Sequence, residues 1–192
     1  MKRYEKGMPG YLDYKKKIEI IRTIVYFALA AAVYFLGYSQ TGSNKNLLTV
    51  VAIVGCLPAC KALVGVIIRF PHHSIREEIA KELKETCPHL TTIYDLVITS
   101  TEKIMPVDEI IISGDKIFGY TSDKKVDLRY AEQHIKNILM QNHFKDVSVK
   151  LMDQYKPFLT RAEGLENIAV IENEDRNERE EQIARLILNI SL

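Results

Sequence analysis

Two long apolar runs near the start of the chain constrain its fold more than any other feature. Residues 18–38 read IEIIRTIVYFALAAAVYFLGY, with no charge after Arg22, and residues 47–70 read LLTVVAIVGCLPACKALVGVIIRF. An α-helix rises 1.5 Å per residue, so about 20 apolar residues cross a hydrocarbon layer about 30 Å thick. Both runs reach that length. The polar stretch SQTGSNKN between them suits a tight turn outside a bilayer. The pattern therefore predicts a transmembrane helical hairpin over residues 18–70, with spans at about 18–38 and 47–70. A pair of buried core helices fits less well, because both runs are long and uniformly apolar. A cleaved leader also fits less well, because Glu5, Asp13 and Glu19 interrupt the leading segment.

Charge is divided between the two parts of the chain. Residues 1–70 carry ten Lys/Arg and three Asp/Glu, a net +7, whereas residues 71–192 carry sixteen and twenty-two, a net −6. Lys2, Arg3, Lys6, Lys15, Lys16, Lys17 and Arg22 lie before or at the start of the first run. Arg69 and Arg76 close or follow the second, and the turn holds only Lys45. Positively charged flanks stay in the cytoplasm, which predicts a multi-pass protein of the cell membrane with both termini inside. The basic segment 1–17 and a soluble domain, residues 71–192, then share the cytoplasmic side. The three cysteines are too few and too scattered for a disulfide framework.

Lys61 is the unusual residue of the second run. An ammonium at mid-membrane costs about 2.5–3.5 kcal/mol on insertion scales. Snorkelling toward the cytoplasmic headgroups is the preferred account; a polar contact with another helix, or a pore-lining position, is the alternative. Pro58 predicts a kink in the same helix. Cys56 and Cys60 are expected to share a helix face as small packing residues.

The remaining 122 residues read as a soluble α/β (α+β) domain with a mixed sheet, in the order α-β-β-β-α-β-β-α. Ser74 and Glu77 have capping-box spacing, with Ile75, Ile79 and Leu83 following on one helix face. Thr91–Thr101, Val107–Ser113 and Lys116–Thr121 read as strands, the last two joined by a turn at Gly114-Asp115. Asp127 caps a helix reaching about His143, with Ala131, Ile135, Ile138 and Leu139 on its inner face. Val147–Met152 and Asn167–Ile171 are the remaining predicted strands. A last helix over about Glu174–Ile190 buries Ile183, Leu186, Ile187 and Ile190.

No phosphate loop, dinucleotide fingerprint, nucleophile elbow or HExxH motif occurs. The five histidines lack metal-ligand spacing, and Cys87-Pro-His89 supplies only half a site. The acidic run Glu172, Glu174, Asp175, Glu178, Glu180 and Glu181 reads as a solvated helix face. No cofactor is predicted from these patterns.

The segment Val107-Asp-Glu-Ile-Ile-Ile-Ser-Gly-Asp-Lys-Ile-Phe-Gly-Tyr120 resembles the central hairpin of nuclease-related domains, a branch of the PD-(D/E)XK fold. The likeness covers residues 91–155. It implies a divalent metal, Mg²⁺ or Mn²⁺, held by acidic groups, with a lysine stabilising developing charge. Asp108 matches the first metal-binding Asp. The matching Glu position falls near Thr121 and the Lys position near Asp123, so the carboxylate and the amine are missing; Asp115, Lys124 and Lys125 are nearby but shifted. The resemblance thus implies a dismantled catalytic centre, with Asp108 an ordinary strand-start or turn residue.

A net −6 also disfavours nucleic acid as a partner. A local basic cluster of Lys116, Lys124, Lys125, Arg129 and Lys136 is expected either to touch phosphates or to orient the domain on anionic lipid. The preferred reading is a non-enzymatic, membrane-anchored interaction module with a protein partner or a second copy of itself. The alternative is a membrane-tethered, metal-dependent nuclease or its relic.

Overall fold

A computed structural model describes residues 4–171 and 177–192, apart from the Asn177 side chain. The chain divides into two compact units. One comprises Leu12–His73; the other comprises the residues up to Tyr11 together with Ser74–Leu192.

The first unit is a helical hairpin of α1 (Tyr11–Thr41) and α2 (Leu47–Arg69). Both are long and apolar enough to cross a membrane. Their facing seam is built from small residues: Thr23, Ala30 and Gly37 on α1, spaced by seven, and Ala52, Ala59 and Ala62 on α2 are buried. Small side chains let two helix backbones approach closely. Gly37 is required by that approach, since a Cβ there would lie 2.7 Å from both Leu48 Cβ and Asn46 Oδ1. Asn46 also closes the turn: its side chain accepts from Thr49 N at 2.8 Å and donates to Ser43 O at 2.7 Å. α2 runs unbroken through Pro58. The outward faces carry Ile24, Leu29, Phe35, Leu36, Ile53 and Leu57, all exposed.

The second unit is a three-layer α/β/α domain. Its sheet has the order β1-β2-β3-β4, formed by β1 (Thr91–Thr99), β2 (Ile104–Ser113), β3 (Lys116–Tyr120) and β4 (Ser148–Met152). β1–β2 and β2–β3 pair antiparallel, and β3–β4 pair parallel after the crossover helix α4 (Leu128–Gln141). α4 and α6 (Asn177–Ile190) cover one face with Ile135, Leu139, Ile183 and Ile187; α3 (Glu77–Thr86) and α5 (Tyr155–Ala169) cover the other with Leu83, Phe158 and Ala162. Burying each such aliphatic or aromatic side chain contributes about 1.5–3 kcal/mol.

The predicted strand at Asn167–Ile171 is absent. Residues 155–169 form α5, so the order becomes α-β-β-β-α-β-α-α. The run NIAVI has strand propensity, but Phe158, Ala162, Leu165 and Glu166 are buried at helical spacing and the helix prevails. The capping box also fails. α3 begins at Glu77 with Arg76 at its N-cap and no side-chain cap bond, so the glutamate stands two positions too early to reach back. Asp127 does cap α4, accepting from Tyr130 N at 3.2 Å.

Both chain ends close the open edge of β1. Tyr94 N donates to Gly7 O at 2.8 Å, Leu192 N donates to Val97 O at 2.9 Å, and Lys6 Nζ donates to Ser191 O at 2.6 Å. A bare strand edge would otherwise offer its amides and carbonyls to another chain.

Candidate functional site

β2 runs between β1 and β3, so its side chains are the most enclosed in the sheet. On the α3/α5 face Glu109 lies between Tyr94 of β1 and Tyr120 of β3. Tyr155, at the start of α5, meets Tyr120 edge-on with ring centroids 5.4 Å apart, and Phe158 lies 5.9 Å from Tyr120. Tyr155 OH donates to Glu82 Oε2 of α3 at 2.9 Å.

Glu109 is 0% exposed, and among the described residues neither carboxylate oxygen has a hydrogen-bond partner. Burial pushes its pKa from the ordinary 4.5 up to about 8, with Asp108 and then Glu82 adding to the rise. The group is therefore a neutral acid at pH 7. The Tyr94 hydroxyl is buried without a well-formed hydrogen bond; burial raises its pKa while the Thr92 side chain pulls the other way. Burial, then the bond to Glu82, raises the Tyr155 phenol as well. Cys87, 1% exposed beneath the same helices, is pushed up to about 11 mainly by burial, so it is not a thiolate nucleophile.

Asp108, next along β2, behaves differently. β2 starts at Ile104, so Asp108 lies within the strand and does not open it. Its Oδ2 accepts from Ser122 N at 2.6 Å. Burial raises its pKa, the Ser122 bonds lower it, and Asp123 raises it further. Thr121, buried, accepts through Oγ1 from Asp123 N at 3.2 Å. Asp108 and Asp123 thus lie about one turn. Among the described residues no group of three or more His, Cys, Asp and Glu is placed to hold a metal ion.

The basic residues do not gather at one point. Lys116 opens β3, whereas Lys124 and Lys125 follow its opposite end, with Arg129 and Lys136 exposed on α4. Lys61 lines a cleft within the hairpin together with Glu19, Arg22 and Arg69. His89 pairs through Nδ1 with the mostly buried Glu166 of α5, and the Glu166 carboxylate also accepts from His89 N at 3.2 Å. Of the acidic run, Glu172, Glu174 and Asp175 lie outside the described residues. Glu180 points inward, accepting from Gly114 N at 2.6 Å and Thr91 Oγ1 at 2.7 Å. It clamps α6 to the turn between β2 and β3 rather than facing solvent.

Sequence reasoning singled out Asp108 and passed over Glu109. The available signal was an acid between Val107 and Ile110-Ile111-Ile112, inside a strand with apolar residues on both faces.

Fold and site together define a three-layer α/β domain with a buried acid, joined to an apolar helical hairpin. No family model, no curated protein and no solved structure matches the chain.

Proposed function

We propose that the chain is a membrane-anchored interaction module: the hairpin spans the cell membrane with both termini cytoplasmic, and the α/β domain binds a protein partner at its inner surface. The observation that carries this reading is the hairpin itself, two spanning-length helices with large apolar side chains on their outer faces. In water such faces would aggregate; in lipid they are solvated. The partner claim is supported by a second feature, the exposed apolar end of α5, where Ile168, Val170 and Ile171 are 41%, 61% and 81% exposed.

A photo-crosslinking side chain at Ile171 in the full chain, irradiated in native membranes, is expected to give one discrete product. Absence of any product there, with a crosslinker at exposed Gln133 as reference, would remove the partner claim. Topology is tested separately in intact cells: a cysteine at Ser43 is expected to react with an impermeant maleimide, and one at Ser122 is not. Labelling at Ser122 would overturn the orientation.

A second reading is a membrane-tethered nuclease or its relic, supported by the convergence of Asp108 and Asp123 at one turn. It predicts Mg²⁺- or Mn²⁺-dependent cleavage of DNA or RNA that Asp108→Ala abolishes.

A further inference from the structure

The hairpin holds a polar cleft that anchoring alone does not require. On α1, Glu19 is 7% exposed and pairs with Arg22 at 3.4 Å. On α2, Lys61 and Arg69 line the same cleft, about 390 Å³ in volume, with Gly65 between them. Three cations against one carboxylate leave a net +2. Arg69 is only partly satisfied: Nη1 donates to Gly65 O at 3.3 Å, while Nε is buried without a hydrogen-bond partner among the described residues. A buried guanidinium N–H with no acceptor is a costly feature unless something supplies one.

Depth identifies the acceptor. Arg69 is the last residue of α2, and Lys61 lies eight residues deeper, about 12 Å along the helix. The cleft therefore runs from headgroup level into the acyl region. Lys61 and Arg69 line one cleft across that rise, so both long side chains reach the same space, and a phosphate carried on a lipid is the anion held at this depth.

We propose that this cleft binds the phosphate of an anionic phospholipid, with Arg69 at its mouth and Arg22 and Lys61 beneath. The site rests on the hairpin being membrane-inserted. Lys61 is then the floor of a lipid site, and Glu19 tunes its charge by neutralising Arg22.

The test is native mass spectrometry of the full chain released from micelles containing equal phosphatidic acid and phosphatidylcholine. One phosphatidic acid is expected to remain bound in excess over phosphatidylcholine. Lys61→Gln and Arg69→Gln are each expected to lower that excess about tenfold, the loss of one charge-assisted contact. Glu19→Gln is expected to raise it, a gain that misfolding cannot produce. Equal retention of the two lipids, or an excess that none of the three variants changes, would overturn the proposal. Displacement by inorganic phosphate would overturn it too, by showing a site for free phosphate. Alkaline carbonate extraction of the cell membranes carrying the chain separates this from failure of the anchor: a chain that extracts was never inserted, whereas one that stays in the membrane without lipid preference is anchored and lacks the site.

Discussion

Glu109 makes the stability of the α/β domain depend on pH in an unusual direction. Its carboxyl titrates near 4.5 in the unfolded chain and at about 8 in the fold. Below pH 4.5 it is protonated in both states and has no effect. Between the two values only the folded state holds the proton, so folding takes one up and stability falls as pH rises, by about 1.4 kcal/mol per pH unit. Above pH 8 it is ionised in both states and the loss is complete. The full loss is on the order of 5 kcal/mol, a large share of the roughly 5–15 kcal/mol that holds a typical domain together. Glu109→Gln keeps the shape and removes the titration. Cys87 offers a probe in the same layer, since it is buried beneath α3 and α5. With Cys56 and Cys60 replaced, the urea midpoint for Cys87 labelling is expected to fall steadily from pH 5 to pH 8 in the parent and to stay nearly level in Glu109→Gln. Comparing the two at each pH cancels the thiol's own titration. A parent midpoint that does not move over this range, or a variant that falls in parallel with it, would refute the assignment of a buried, unpartnered acid.

Three further outcomes follow from particular contacts. Gly37→Val places a Cβ within 2.7 Å of Leu48 Cβ and should destabilise the hairpin by about 1–3 kcal/mol, read as a lower melting temperature of the detergent-solubilised chain. Glu180→Ala leaves Gly114 N and Thr91 Oγ1 without their acceptor and should cost about 1–3 kcal/mol, measured by faster hydrogen exchange at Gly114. Asp108→Ala releases Ser122 N and should cost about 1–2 kcal/mol, with exchange increased locally at the Ser122 turn; no local change would leave Asp108 without the turn-holding role.

Legibility in the sequence followed the physics of each element. The helical hairpin was readable because two long apolar runs with a polar turn between them leave little else to form, although α1 starts at Tyr11, seven residues before the apolar boundary. α4 was readable because Asp127 is a true N-cap, with Ala131, Ile135 and Leu139 buried behind it. α5 was misread because five residues, NIAVI, were judged by propensity while the helical spacing that decides the matter began at Phe158. The inward turn of Glu180 was not readable, because its two donors lie 66 and 89 residues away. The cleft around Lys61 was half readable: a lysine inside an apolar run stands out, but Arg69 and Glu19 join it only once the two helices are laid side by side.

Glu109 was missed for a reason that the sheet makes clear. Along β1, Ile93, Leu96 and Ile98 all face α4 and α6, and along β2 so do Met105, Val107, Ile110 and Ile112. A strand alternates faces every residue, so the three-residue steps from Ile93 to Leu96 and from Val107 to Ile110 require an extra residue in each. Those residues are Asp95 and Asp108, which lie opposite each other yet drop out of the pairing while the register continues unchanged on both sides. Asp95 takes φ 56°, a left-handed conformation that Asp tolerates better than most side chains, and its Oδ1 accepts from Ile75 N at 2.9 Å. Because both strands switch at the same rung, neither slips, and the apolar face continues through the fault. A single strand read alone shows only a broken alternation; two neighbours broken at matching acids mark a paired kink. Glu109 and Tyr94 occupy the rung beside it, turned to the α3/α5 face, and the kink is what allows Val107 and Glu109 to point to opposite sides of the sheet.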